Sequence, residues 1–190
     1  MYNSYICKQF KKHIMNEIIK KNGINYGIIT GVVSVLITTL IYVIDIKLFT
    51  AWWIGVLSMV FYIIISCVLL SKTKRELKGI YTFKEAFTTY FISAIIGIAI
   101  SVTFNIILFN FIDPAAKDTI KELTMKYTAE MLQKFGTPTS EINKAITEIE
   151  KNDQFGILEQ LKGSVFGILF SSIFGLILAA IFKSKPSYQQ

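Results

Sequence analysis

Histidine is almost absent from this chain, cysteine and proline are scarce, and long stretches carry no charge at all. The single histidine, His13, stands alone beside lysines, and the two cysteines are Cys7 and Cys67. A metal centre needs several ligands brought together, so neither a metal site nor a cofactor is expected. Cys7 precedes the first apolar run and Cys67 sits near the inner end of the second, both on the reducing side, which excludes a disulfide. Charged residues make up 17% of the sequence against 53% hydrophobic, well off the globular average. The charges are bunched between apolar runs instead of interspersed with them, which points to lipid as the solvent. The formal charge of +7 does not point to nucleic acid, because Lys and Arg flank those runs and do not cover a soluble face.

What is present is four runs close to the roughly 20 residues a helix needs to cross hydrocarbon. They cover residues 25–44, 49–70, 87–111 and 163–182. The first is longer than a signal-peptide core and no small-x-small cleavage site follows it before Asp45, so it reads as retained. The fold class is therefore all-α: a single polytopic membrane domain of four transmembrane helices, whose partner in the first instance is the bilayer.

Orientation follows from lysine and arginine. A basic N-terminal segment, residues 1–23, carries Lys8, Lys11, Lys12, Lys20 and Lys21. The loop after the second run carries Lys72, Lys74, Arg75, Lys78 and Lys84, and the tail at 183–190 carries Lys183 and Lys185. These three share one side. The other side has Lys47 and a long segment, residues 112–162, in which seven lysines are outnumbered by acids. Positive-inside counting places both termini in the cytoplasm and residues 112–162 outside it. Within the N-terminal segment, Ile6, Phe10 and Ile14 recur at four-residue spacing, which suits a helix lying in the membrane surface as well as a frayed basic tail. Met15-Asn16-Glu17 also has the form of a compact alternative start.

Boundary signals cluster around the third run. Thr82 followed by Glu85 fits a capping box. Asp113 can cap a new helix whose first residue is Pro114, where the missing proline amide costs nothing. Beyond it, Ile120, Leu123, Tyr127, Met131 and Phe135 form one apolar stripe, Gly136 suits a stop, and Ile142, Ile146 and Ile149 form a second stripe from about Thr139. The segment thus predicts an extracytoplasmic helical hairpin, its stripes buried against each other or resting on the membrane.

The Phe83-Lys84-Glu85-Ala86-Phe87 start of the third run, its Asn110-Phe111-Ile112-Asp113-Pro114 exit, and the Gly- and Ser-rich fourth run ending in lysine resemble a bacterial four-helix membrane family known as domain of unknown function family 4199. The likeness covers the chain after about Met15. It implies a bacterial protein of the inner membrane and supplies no activity.

No histidine, lysine, arginine, aspartate or glutamate lies at mid-membrane depth in any run, whereas proton relays and many ion pathways are built from such residues. Ser101, Ser171 and Ser172 have no histidine or lysine beside them in sequence to act as a base, so an enzyme is not expected. The strongest internal pattern is one of small residues at four-residue spacing: Gly23, Gly27 and Gly31; Ser93, Gly97 and Ser101, leading to Asn105; and Gly163, Gly167, Ser171, Gly175 and Ala179. Such ladders let backbones approach closely. The expectation is that the third and fourth runs pack antiparallel along their ladders, with Ser101 and Asn105 level with Gly163 and Gly167. Asn105 should then turn towards a neighbouring helix for a hydrogen bond. Two function classes follow: a non-enzymatic structural or interaction protein, alone or with itself or another membrane protein as partner, or a small oligomeric transport protein. The second would need a polar lining, for which only Asn25, Asn105, Asn110 and scattered Ser or Thr are available.

Overall fold

A computed structural model of the chain describes the backbone of residues 2–184 and the side chains of residues 17–184. The stripe of Ile6, Phe10 and Ile14, together with Cys7, His13, Met15 and the tail residue Lys185, lies outside the described side chains. The backbone is helical almost throughout: α1 Tyr2–Ile44, α2 Trp52–Glu76, α3 Phe83–Ile107, α4 Pro114–Lys134, α5 Thr139–Lys151 and α6 Ile157–Phe182. Four segments are long and apolar enough to cross a membrane, Glu17–Ile44, Trp52–Glu76, Phe83–Ile112 and Ile157–Phe182. Each of the four helices extends past its apolar run at one end or both. The backbone bonds continue into flanks whose Lys and Glu residues are good helix formers. Only the second starts later than its apolar run does. Residues Ile46–Thr50 form a separate 3-10 turn, capped by Asp45, whose carboxylate accepts from the Lys47 amide at 2.9 Å.

Local chemistry sets the boundaries of α3. The Thr82 hydroxyl accepts from the Glu85 amide while the Glu85 carboxylate accepts from the Thr82 amide at 2.8 Å. At its other end α3 widens into one π turn, Leu108–Ile112, closed by the Asp113 amide donating to the Leu108 carbonyl at 2.8 Å. Asp113 then accepts from the Ala116 amide, with Pro114 as the first residue of α4. Gly136 (φ 73°) follows α4 in the left-handed region that glycine adopts without strain.

The bundle is built on α1 and α3. Gly23, Gly27 and Gly31 of α1 meet Ile92, Ile96 and Ile100 of α3 one for one. The register is constant, so the two helices run parallel. A β-carbon added at Gly27 or Gly31 would lie 2.7 Å from the nearest isoleucine β-carbon, so the glycines are the holes into which the isoleucines fit. Gly27 also lies beside the Ser93 carbonyl, and Gly97 beside Thr30, which puts backbone against backbone as in small-residue membrane dimers. The ladder of Ser93, Gly97 and Ser101 therefore faces α1. This corrects the expectation that it packs against α6: the glycines of α1 admit the branched isoleucines of α3, and that fit carries the serine ladder to the same side. α6 does pack on α3, but through Gly175, whose added β-carbon would meet the Tyr90 ring at 2.5 Å, and through the fully buried Ala179. Gly163 and Gly167 meet nothing within 4 Å.

Two clusters close the ends of the bundle. At the lysine-rich end Ile19, Leu70, Leu77, Tyr81, Ala86, Tyr90 and Ala179 pack together. Buried Asn22 donates there to Thr73 at 3.2 Å and to the Glu76 carboxylate at 2.7 Å, joining α1 to α2. Tyr81 is completely buried; its hydroxyl donates to Thr89, and desolvation pushes the phenol up to about 12, which keeps it neutral. At the opposite end Leu108, Phe109, Ala116 and Ile120 form the second cluster, with Phe49 and Phe155 edge-on or tilted against Phe109. Tyr42 of α1 donates to Asp113 at 2.8 Å, and Asn110 donates to the Phe155 carbonyl at 2.9 Å. These bonds tie the start of α4 and the start of α6 to the bundle.

The α4 stripe is only half used. Ile120 is buried, but Tyr127, Met131 and Phe135 are 38%, 40% and 80% exposed. Of the two modes expected for the stripe, burial against the second stripe does not extend to Tyr127 and Met131: α4 lies against α5 with Thr124, Thr128 and Leu132 half-buried and the aromatic edge turned outward.

Substitution along the α1–α3 contact tests this arrangement. Gly27→Ala should destabilise the bundle by about 1–3 kcal/mol, because the isoleucine opposite is met at its rigid β-carbon. Gly163→Ala should be neutral or slightly stabilising, since alanine favours a helix over glycine by about 1 kcal/mol. Unfolding in detergent followed by circular dichroism measures both.

Candidate functional site

Serine and threonine are tolerated inside membrane helices because their hydroxyls can bond the carbonyl one turn back on their own helix, and a tyrosine hydroxyl reaches a partner farther away. Thr30 does so to Tyr26 and Ser66 to Tyr62, both at 2.8 Å. Scattered along the sequence, such residues carry no message. The fold brings eight of them around one cavity of about 290 Å³: Thr30 and Ser34 from α1, Tyr62 and Ser66 from α2, Tyr90, Ser93 and Ser101 from α3, and Ser171 from α6. Most lie near the middle of their spans, with Tyr90 nearer the lysine-rich end. The remaining lining is Ala94, Gly97, Ile98 and Gly167, so the interior carries no formal charge.

Two bonds between helices cross the wall of this cavity. Ser34 and Ser101 are 2.7 Å apart, closing the α1–α3 side, and Tyr90 and Ser171 are 2.8 Å apart, closing the α3–α6 side. Ser93 is 6% exposed and makes no side-chain hydrogen bond among the described residues. The cavity owes its room to the small residues of α6: with Gly167 touching nothing, α6 stands off from the middle of α3. A second cavity of about 270 Å³ shares Tyr62, Ser66, Tyr90, Gly167 and Ser171, and continues between α2 and α6 past Met59, Ile63, Phe170 and Phe174. The space is thus polar on its α1–α3 side and apolar where it passes between α2 and α6.

Chemically this lining can donate and accept hydrogen bonds through neutral hydroxyls and carries no His, Lys, Arg, Asp or Glu. Ser171 and Ser101 are each paired with another hydroxyl, so neither is an activated nucleophile. Ser172 bonds its own helix at the Ile168 carbonyl. Among the described residues no cluster of three or more His, Cys, Asp or Glu could hold a metal, and Cys67 is a free thiol.

The other polar residues of the spans lie apart from this centre. Asn25 is exposed, and Asn110 is spent on the Ile106 and Phe155 carbonyls. Asn105 turns inward, as expected, but its Oδ1 is buried without a partner; Ser101 below it has already bonded Ser34. The small-residue ladders thus divide. Gly27, Gly31, Gly97, Gly175 and Ala179 pack helices, Ser93, Ser101 and Ser171 line the cavity, Gly167 opens it, and Gly163 borders free space. Sequence reading passed over Tyr62, Tyr90 and Ser66. No sequence pattern singles them out, since each alone reads as an ordinary residue of a membrane span.

Fold and cavity together define a four-span, all-helical membrane protein with a neutral, hydroxyl-lined interior. The chain belongs to the family described as a protein of unknown function, DUF4199, which matches it over residues 25–184, all four spans and the segment between the last two. No curated protein and no solved structure matches the chain.

The unpaired Asn105 and the open position at Gly167 are each tested by substitution. Asn105→Leu should raise stability by about 1–3 kcal/mol, because it removes an unpaired buried acceptor. Gly167→Leu should leave the fold intact while filling the cavity, which a cysteine at Ser93 reports as slower reaction with a small thiol reagent. Loss of folding in Gly167→Leu would show that α6 lies closer to α3 than described.

Proposed function

We propose that this chain is a non-enzymatic interaction protein of the bacterial inner membrane. Both termini lie in the cytoplasm, and α4 and α5 stand outside it as a helical hairpin that meets a protein partner. The observation that carries this reading is the exposed apolar edge of Tyr127 and Met131 on α4, continued one turn on by Phe135 at its C-cap. Large apolar side chains left in a row outside the spans support a contact surface. The orientation rests on the lysine bias between the two sides, and the absence of His, Lys, Arg, Asp and Glu at mid-span depth supports a role without chemistry.

A second reading, a small transport protein that works as an oligomer, draws support from the hydroxyl-lined cavity, whose polar lining answers one requirement of a pathway. The two readings separate cleanly in experiment. A photoreactive residue at Phe135 in the full chain should capture a second membrane protein, or another copy of this one, and Met131→Asp should abolish the adduct. Transport of a defined uncharged solute by the purified, reconstituted chain, with no adduct at Phe135, would favour the second reading. Reporters fused after Lys78 or at the C terminus should read cytoplasm, and one near Gly136 should read the opposite side.

A further inference from the structure

At the lysine-rich end of the bundle two neighbouring cations of α2, Lys74 and Arg75, stand without an ion-pair partner among the described residues. Lys72 sits over the Tyr26 ring at 5.5 Å. The carboxylates nearest in sequence are committed: Glu76 accepts from Asn22, and Glu85 accepts from Thr82. Lys74 is half-buried and Arg75 exposed. Lys74 and Arg75, with Ser71 and Gly79, line an open pocket of about 530 Å³ whose other wall is Ile181 and Phe182 at the end of α6.

That wall is fixed in place. The Ser184 amide donates to the Tyr81 carbonyl at 2.7 Å, its hydroxyl accepts from the Tyr81 amide at 2.8 Å, and the same hydroxyl donates to the Gly79 carbonyl. The end of α6 is thereby clamped to the loop that follows α2, and the two helices bound one pocket between them. Towards the membrane centre the same pair of helices bounds the apolar cavity lined by Ile63, Phe174 and Leu178. Ser66, which lines it, is about 12 Å from Lys74 along α2 at 1.5 Å per residue, within the depth of one lipid leaflet.

We propose that α2 and α6 hold one anionic phospholipid, its phosphate between Lys74 and Arg75 and one acyl chain lying between the helices against Ile63 and Phe174. Two unpaired cations at the membrane boundary complement the phosphate. The apolar space beside them opens among lipid-facing side chains, where hydrocarbon is the available filler. The chemistry at Lys74 and Arg75 would also suit free phosphate; the separate apolar cavity deeper along the same two helices commits the site to lipid.

The full chain in mixed micelles containing equal amounts of dioleoylphosphatidylglycerol and dioleoylphosphatidylcholine tests this, with retained lipid counted by native mass spectrometry. One phosphatidylglycerol per chain should be kept in preference by about tenfold. Lys74→Gln with Arg75→Gln should reduce that preference to near unity, and Lys74→Arg should preserve it. Ser66→Phe, which fills the apolar space, should lower retention of both lipids while the helical circular dichroism is unchanged. Equal retention of the two lipids by the unmodified chain, or a preference that survives the double substitution, would overturn the proposal. Displacement of the lipid by millimolar inorganic phosphate would overturn it too, since the site would then bind phosphate without using the chain.

Discussion

Everything else in this bundle depends on how closely α1 and α3 approach. In lipid, burial of apolar surface drives no helix together, because the tails are as apolar as the side chains, and association rests on dispersion contacts and a few polar bonds. The glycines at 23, 27 and 31 receive the isoleucines at 92, 96 and 100 in unbroken register, which yields more van der Waals contact than lipid could supply to the same surfaces. The Ser34–Ser101 bond continues the seam outward. Once α1 and α3 are fixed in parallel, the α2–α3 loop brings Tyr81 into its buried pocket, and the cluster around Phe109 closes the far end.

Small residues have two opposite effects in this chain. Along α1 they remove bulk so that a neighbour can enter; along the first half of α6 they remove bulk and no neighbour enters. Gly175 meets the Tyr90 ring, whereas Gly167, eight residues earlier on the same ladder, faces open space. The difference comes from what stands opposite. Tyr90 holds α6 off at that level and reaches Ser171 with its hydroxyl, so the next turns of α6 diverge from α3 and leave the hydroxyl-lined cavity. The bundle is thus packed at both ends and open in the middle, where neutral hydroxyls are the polar groups that hydrocarbon tolerates most cheaply.

Length and hydropathy made the four spans legible, because a membrane-crossing helix must be apolar for its whole crossing. Helix ends around the third span were legible for a different reason: Thr82 with Glu85, and Asp113 with Pro114, act through bonds within four residues of themselves. Partner choice was not. The ladders of Ser93 and of Gly163 look alike in sequence, and which helix each one meets depends on the isoleucines of α3 and on Tyr90, whose roles emerge only in three dimensions. The cavity was illegible for the same reason, since Thr30, Ser66 and Ser171 lie in different helices and each alone reads as an ordinary helix-compatible hydroxyl. Tyr127 and Met131 show a related limit: periodicity identified an apolar stripe, and the rotation of α4 against α5 decided which part of it to cover.

The parallel α1–α3 seam is the claim on which this account stands, and a disulfide measures it most directly. With Cys7 and Cys67 replaced by serine, cysteines at Ser34 and Ser101, whose hydroxyls are 2.7 Å apart, should oxidise to an intrachain bond in nearly every molecule. A pair at Ser101 and Gly167 should remain reduced under the same conditions. Efficient bonding of Ser101 to Gly167, or bonds from Ser34 that form only between separate chains, would contradict the seam and with it the cavity.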